Sequence, residues 1–352
     1  MIFKSTGLLL FVSWVVLVSS IRPLSAAPPV PGAFEASAEA SEVLLALDDD
    51  ELKREMGWSY GLSVGANLAY THNRKMVGSL DGSMFQIGLV IDGMVSYHHP
   101  RHEWLNKLEL RETFTKTPNI AKFLKTADSL DLSSTYFYHP AAISWLGPFG
   151  RLRMITSVFP GWTVRDHATT IRRQMADGTT VDADTETPAQ NQIDLTGWFE
   201  PLAFKETAGI YANPISRKSV RLKLLAGLGA QQVLTRDGYV LSDDSDPDAI
   251  VLQQLRDYYQ VGAEFEVDVA GALSKIVNWG VVLNIFQPMY SSEDRSMALK
   301  DLFEVKVDAK LSVKLASWVS LDYVLTVRRL PLIVDEWQVQ NGLLLSAGFS
   351  LP

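Results

Sequence analysis

Three imidazoles, His98, His99 and His102, lie together in the stretch HHPRH. Three imidazoles can hold a divalent transition metal. The same stretch suits a polar turn shaped by Pro100, and the turn is the reading taken, with no metal expected. Asp166 precedes His167, and a hydrolase would need such a base beside a nucleophile held at a strand end. Spacing assembles no such set from His72, His98, His99, His102, His139 and His167, so no catalytic residue and no cofactor is expected. Carboxylates alternate in DDSDPDA, residues 243–249. The glycine of a sharp calcium loop and its downstream bidentate Glu are missing, so this is a solvated loop, as is DDDE at 48–51. GLGA, residues 227–230, is followed by no helix start and is a strand of small residues, not a phosphate loop.

The largest set of chemically active side chains is spaced by two. In LFEVKVDAKLSVKL, residues 302–315, the odd positions from Phe303 are apolar, while Glu304, Lys306, Asp308, Lys310, Ser312 and Lys314 are polar. A period of two means a strand with one oily and one ionic face. The same alternation places Lys107, Glu109, Arg111, Asp131, Arg151, Arg153, Lys205, Arg221, Lys223, Glu264, Glu266, Asp268, Asp322 and Arg328 on the polar faces of their strands.

Twelve strands are expected near 57–70, 83–97, 103–115, 126–138, 149–159, 198–212, 218–235, 257–269, 275–287, 302–315, 317–328 and 336–350. Strands of a sandwich usually run five or six residues, whereas these exceed the nine to eleven that a tilted strand needs to cross lipid. Short connections alternate with long polar ones at 71–82, 160–197, 236–256 and 288–301. A transmembrane barrel has this asymmetry, short periplasmic turns against long external loops. Asp177-Gly178 inside the loop 160–197 marks a hairpin. Trp58, Tyr97, Trp104, Tyr136, Trp279, Trp318 and Phe349 fall at one set of strand ends, and Tyr70, Phe85, Phe159, Phe199, Tyr259 and Trp337 at the other. Two aromatic girdles are expected at the two bilayer surfaces. The oily faces then meet lipid and the charges line a lumen.

Residues 1–27 have the charged start (Lys4), apolar core (Gly7 to Val18) and small-residue cleavage site (Ser25-Ala26-Ala27) of a secretory signal. Residues 28–56 form a periplasmic leader with a short helix, and 57–352 the barrel. The chain has no cysteine, so stability must come from hydrogen bonding and packing. Its net charge of −8 argues against nucleic acid as a partner. The chain resembles the outer-membrane β-barrel proteins of Gram-negative bacteria, and its C-terminal QNGLLLSAGFSL (340–351) looks like their recognition strand, through Gln340, Gly342, Leu345, Ala347 and Phe349. It departs from them in ending Leu351-Pro352 instead of in an aromatic residue. The organisation is also similar to an uncharacterised group of barrels without assigned activity. The resemblance implies the bacterial outer membrane as location, its lipid as surroundings, and the barrel-assembly machinery as partner during biogenesis.

The expected fold is therefore all-β: an antiparallel up-and-down transmembrane barrel of about twelve strands. The expected function is a narrow pore for small solutes. A closed structural or adhesive barrel is the alternative, and a barrel-embedded hydrolase the second. Within the lumen, Arg221 and Lys223 are expected level with Asp268 and Glu266 on the neighbouring strand, as ion pairs.

Overall fold

In the computed structural model the described residues are 56–351, apart from 74–81, 144, 177, 183–185, 218, 237, 244–248, 293–297, 317–318 and 332–333. The signal peptide and leader expected at 1–27 and 28–56 fall outside them, save Met56. In chain order the strands are β1 Gly57–Asn73, β2 Gly82–His99, β3 His102–Lys116, β4 Leu124–Tyr138, β5 Leu146–Thr156, β6 Gly161–Val164, β7 Thr170–Gln174, β8 Thr180–Asp182, β9 Gln192–Thr196, β10 Leu202–Arg217, β11 Val220–Leu234, β12 Tyr239–Asp243, β13 Ala249–Gln254, β14 Tyr258–Ser274, β15 Val277–Ser291, β16 Glu304–Ala316, β17 Val319–Leu330 and β18 Val334–Leu351.

Twelve of these close into a barrel in the order β1-β18-β17-β16-β15-β14-β11-β10-β5-β4-β3-β2, every neighbour antiparallel. Consecutive barrel strands are neighbours throughout, as up-and-down topology requires. Both chain ends of the barrel lie at one rim, the turn rim, with its connections at 100–101, 139–145, 218–219, 275–276 and 317–318. The opposite, loop rim carries 74–81, 117–123, 157–201, 235–257, 292–303 and 331–333.

The alternation read from sequence decides which face is which. On β3, Trp104 and Leu108 are exposed and Arg111 is buried; on β14, Phe265 is exposed and Glu264 and Glu266 are buried. On β16, Leu315 is 60% exposed and Asp308 0%. A soluble protein buries its oil; this barrel turns it outward and buries its charges. Aromatics stand at both edges of the outer face: Trp58, Trp104, Tyr136 and Trp145 toward the turn rim, and Phe159, Trp198, Phe199, Tyr259, Tyr290 and Trp337 toward the loop rim. Trp58 contacts the rings of Tyr97 and Trp104 at 5.1 and 5.9 Å. That is the girdled, inside-out arrangement of outer-membrane β-barrels.

Strand five was expected at 149–159 and ends instead at Thr156. The backbone N–H groups of Val158 and Phe159 leave the ladder and donate to the Asp128 carboxylate at 2.6 and 2.8 Å. Lys125 Nζ donates to the Phe159 carbonyl at 2.6 Å and to Asp128 at 2.5 Å. The side chains of β4 thus take over where the wall stops.

The loop rim also holds structure that the strand count did not foresee. The hairpin expected around Gly178 is present as β7 and β8, with Gly178 at φ +87°, a turn conformation suited to glycine. Strand β7 also pairs in parallel with β13, which comes from a different loop. A sheet β12-β13-β7-β8 and a pair β6-β9 result. Ile171, Ile193, Ile250 and Leu252 form their buried core, with Leu195, Tyr239 and Leu241 packed against it. Residues 79 apart in sequence, Thr170 and Ala249 the first pair, thereby knit two loops into one cap, a long-range closure that local alternation does not announce.

Candidate functional site: the charged lumen

The candidate site is the inward face of the barrel. Its centre is Glu264, on β14. The carboxylate accepts from Arg151 at 2.9 Å, from Asn284 at 2.9 Å and from the Thr207 hydroxyl, and Lys205 Nζ stands 2.9 Å away. Glu266, one inward position along, receives the same Arg151 guanidinium through two bonds of 3.0 and 2.8 Å and Asn284 at 3.1 Å. Arg151 is on β5, and β10 and β11 stand between it and β14 in the wall. A guanidinium fork can serve two carboxylates only by leaving its own wall and lying across the bore. Gly229, beside Glu264 on β11, makes room: a Cβ there would stand 3.2 Å from the Glu264 Oε2 and 3.4 Å from the Phe286 ring.

Two other bridges cross the lumen at other heights, from Gln231 and from Lys205, and the remaining pairs lie along the wall. Gln231 on β11 donates to Gln260 at 2.5 Å and to Glu304 on β16 at 3.0 Å. Lys205 on β10 lies 5.1 Å from the ring centre of Phe286 on β15. Arg153 binds Asp131 of β4 through Nε at 2.9 and 3.1 Å. Arg111 pairs with Glu109 and stands 4.0 Å from Asp92. Lys306 and Asp308 are 3.4 Å apart, and Lys310 and Asp322 are 3.5 Å apart, with Ser312 donating to Asp322 at 2.6 Å. Asp268 and Arg328 lie on the same inward faces, Arg328 buried, and so do Lys107, Arg221 and Lys314.

The pairing expected between β11 and β14 is corrected by one step. Lys223 is level with Asp268, but Arg221 is level with Ala270, and Glu266 is level with Leu225. The partner of Glu266 is Arg151, from across the bore. Lys223 instead sits 4.1 Å from the ring centre of Phe137, a cation–π contact. Adjacent-strand reasoning could not reach this, because side chains inside a closed barrel meet across a chord as well as along the wall.

Toward the turn rim the lumen is apolar. Phe137, Phe149, Tyr211 and Leu225 form a buried cluster on β4, β5, β10 and β11, with Leu105 packed against it. Tyr211 is 0% exposed. Its hydroxyl contacts His139, whose Nε2 lies 3.0 Å from Glu103; His98 is 3.7 Å from the same carboxylate. Alternation therefore divides the HHPRH imidazoles. His98 points inward with Glu103, whereas His102 meets Tyr136 of the outer girdle at 2.5 Å, with the His99 ring 5.5 Å from its own. The apolar cluster was absent from the sequence reading, although its signal was present: Phe137, Phe149, Tyr211 and Leu225 occupy polar-face positions of their strands.

Beyond the loop rim, His167 Nδ1 lies 2.6 Å from Asp166, and Asn119 donates to the other oxygen of Asp166 at 3.2 Å. The bond from His167 holds the Asp166 carboxyl below the usual carboxylate range. This is an amide–carboxylate–imidazole chain, exposed on the cap. Among the described residues no three carboxylates or imidazoles gather as a metal site.

No protein family matches the chain, and no curated protein is similar to it. Solved structures with a similar course of chain are outer-membrane barrels. The translocator domain of the autotransporter NalP from Neisseria meningitidis is 8% identical, with 91% of this chain and 96% of that one covered and a TM-score of 0.41. An outer membrane channel from Pseudomonas putida F1 is 10% identical, covering 84% and 95%, with a TM-score of 0.37. The P. putida toluene transporter TodX is 8% identical, covering 84% and 89%, with a TM-score of 0.33.

Proposed function

We propose that this chain is exported through a cleaved signal peptide to the bacterial outer membrane, where it forms a narrow passage for small solutes with a charged lumen. The carrying observation is Arg151, which lies across the bore on Glu264 and Glu266. Burying so many ions is costly unless they are paired and hydrated, and a water-containing passage supplies the hydration. The buried Tyr211 cluster favours a second reading, a closed structural barrel, because apolar side chains fill the lumen toward the turn rim. No reaction is assigned to either.

Conductance in a planar bilayer separates them. A passage gives small discrete steps, and Arg151→Ala enlarges them by removing the bridge. Silence of both proteins under conditions where a wide porin conducts selects the closed barrel. Orientation is read separately in intact cells, where a thiol reagent should reach Thr180→Cys in the β7–β8 hairpin and not Ser216→Cys at the turn rim. The reverse labelling overturns the topology.

A further inference from the structure

The wall of the barrel is not paired along its whole height. Strand β1 pairs with β2 over its full length, Gly57 to Asn73. With β18 on its other side it pairs only from Leu62↔Leu351 to Asn67↔Ser346. Strand β18 pairs with β17 from Ala347 back to Val334. Residues 68–73 of β1 and 340–345 of β18 therefore each keep one edge without a ladder partner among the described residues, and these two edges face each other across the seam. Six residues of strand are about 20 Å long at roughly 3.3 Å per residue. The seam is unzipped over its loop-rim half, where the strands cross the outer part of the lipid-facing band. Open sheet edges are not tolerated against hydrocarbon unless they border a cavity or water.

The lumen beside the seam differs from the rest of the bore. Across the barrel, Arg151, Lys205, Glu264, Phe286 and the Tyr211 cluster fill the interior. On the inward faces of β1 and β2 the described residues between the rims are Ser59, Gly61 and Gly65, and Gln86, Gly88, Val90, Met94 and Ser96, with Asp92 as the charge. The described lumen wall next to the unzipped edges is therefore nearly neutral.

We propose that the β1–β18 seam is a lateral opening, through which apolar or amphipathic small molecules pass between the lumen and the outer leaflet of the membrane. This rests on the reading of the barrel as a passage, and it names the route and the class of solute. A strongly hydrated ion gains nothing by leaving the lumen sideways into lipid, whereas a molecule that partitions into hydrocarbon does. The neutral strip beside the seam carries such a molecule without stripping water from a charged wall.

The chain has no cysteine, so a single engineered pair can lock the seam. Continuing the observed register places Ala69 opposite Leu344. Ala69→Cys with Leu344→Cys is closed by oxidation, or by a short bifunctional thiosulfonate where the edges stand apart. The control pair, Ala66→Cys with Ala347→Cys, lies in the part already zipped. The readout is uptake of an apolar naphthylamine dye by cells carrying the protein. Locking the upper pair should reduce uptake to that of cells lacking the protein, and a thiol reductant should restore it; the control lock should leave it unchanged. A bulky maleimide on Ala69→Cys alone should slow uptake as well. Dye uptake indifferent to both the lock and the maleimide overturns the lateral route. Ion conductance of the same proteins distinguishes the failures: current without seam-dependent dye uptake removes only the route, whereas absence of both current and uptake removes the passage itself.

Discussion

Arg151 and Glu266 sit on strands separated by two others in the wall, yet their side chains share two hydrogen bonds of 2.8 and 3.0 Å. The guanidinium also serves Glu264. Arg151→Ala leaves Glu264 with Lys205, Thr207 and Asn284 and Glu266 with the Asn284 amide, and orphaning one charge of a buried ion pair costs about 3–5 kcal/mol. The temperature at which the folded barrel loses its fast electrophoretic mobility should fall accordingly. Glu266→Lys should also destabilise, and adding Arg151→Glu should recover most of the loss. Adding Lys223→Glu to Glu266→Lys should not, because Lys223 rests on Phe137. Rescue by Lys223→Glu and none by Arg151→Glu would place the bridge on the adjacent strand and remove it from the bore.

Glu112 supplies a prediction of the opposite sign. It lies directly level with Asp128 across the β3–β4 pair. Its side chain is buried against the Asp128 carboxyl, and no amine, guanidinium or amide among the described residues donates to it. Lys125 is already bound to Asp128 and to the Phe159 carbonyl. Like charges directly opposite across strands destabilise a sheet. Glu112→Gln should therefore raise the thermal midpoint of the barrel at neutral pH, by about 1 kcal/mol or somewhat more if the amide also finds an acceptor. Glu112→Lys, which adds charge of the other sign in the same crowded place, should not match it. A lowered midpoint in Glu112→Gln would show that the carboxylate holds something in place.

The barrel was legible in the sequence because its physics is local. A strand with oil on one side and ions on the other repeats every two residues, and twelve such runs matched twelve wall strands, with ends shifted by a few residues. The early end of β5 has a cause beyond local pattern: Asp128 takes the N–H groups of Val158 and Phe159 away from the ladder. Of the cap, only the β7–β8 hairpin was read. QIDLT alternates apolar with polar, but TIRRQ holds one apolar residue and AIVLQQ a run of four, and their parallel and cross-loop pairing depends on contacts made only after the barrel has brought the loops together. The lumen was read as a set of residues, while its contacts were not. Register along the wall fixes Lys223 opposite Asp268, but the chord from Arg151 to Glu266 depends on the radius of the closed barrel and on which side chains leave room.

Asp166 gives a test by pH. Its carboxyl is held low chiefly by His167, with Asn119 contributing. A depressed folded value means that the contribution is present above the unfolded value of about 3.9 and is lost as pH falls through the lower folded one. The Asp166–His167 contact should thus persist at mildly acidic pH and give way only below the ordinary carboxylate range. The carboxyl carbon resonance of Asp166 should titrate with a midpoint below that of a free aspartate, and His167→Ala should move the midpoint upward. A wild-type midpoint at or above the free value would mean that the imidazole and carboxylate are not bonded in solution.

The cap is held by a contact that two substitutions can address. Glu200 is buried, and its carboxylate accepts the backbone N–H of Gly197 within its own loop and that of Gly238 in the other loop, the latter at 2.8 Å. A Cβ on Gly238 would fall 2.5 Å from the Glu200 Oε1 and 3.2 Å from the Thr196 Cγ2. Glu200 is held in place by its own loop, so the clash cannot be relieved by a simple rotation of a free side chain. Glu200→Ala leaves the Gly197 N–H without its carboxylate acceptor and the Gly238 N–H with the Thr235 carbonyl alone, a cost of about 1–3 kcal/mol where water does not reach the orphaned group; Gly238→Ala weakens the bond to the carboxylate and adds the clash. Both should loosen the join between the loops 157–201 and 235–257 while the barrel wall, which neither residue helps to close, keeps its heat-resistant electrophoretic mobility. Limited proteolysis should then cut within 235–257 faster in both variants than in the parent chain. Glu200→Gln, whose amide oxygen still accepts one N–H, should fall between them and the parent. Equal cleavage of all four proteins would show that the buried Ile171, Ile193, Ile250 and Leu252 core holds the cap without the carboxylate, and a barrel that lost its mobility together with the cap would make the loops part of the wall's own stability.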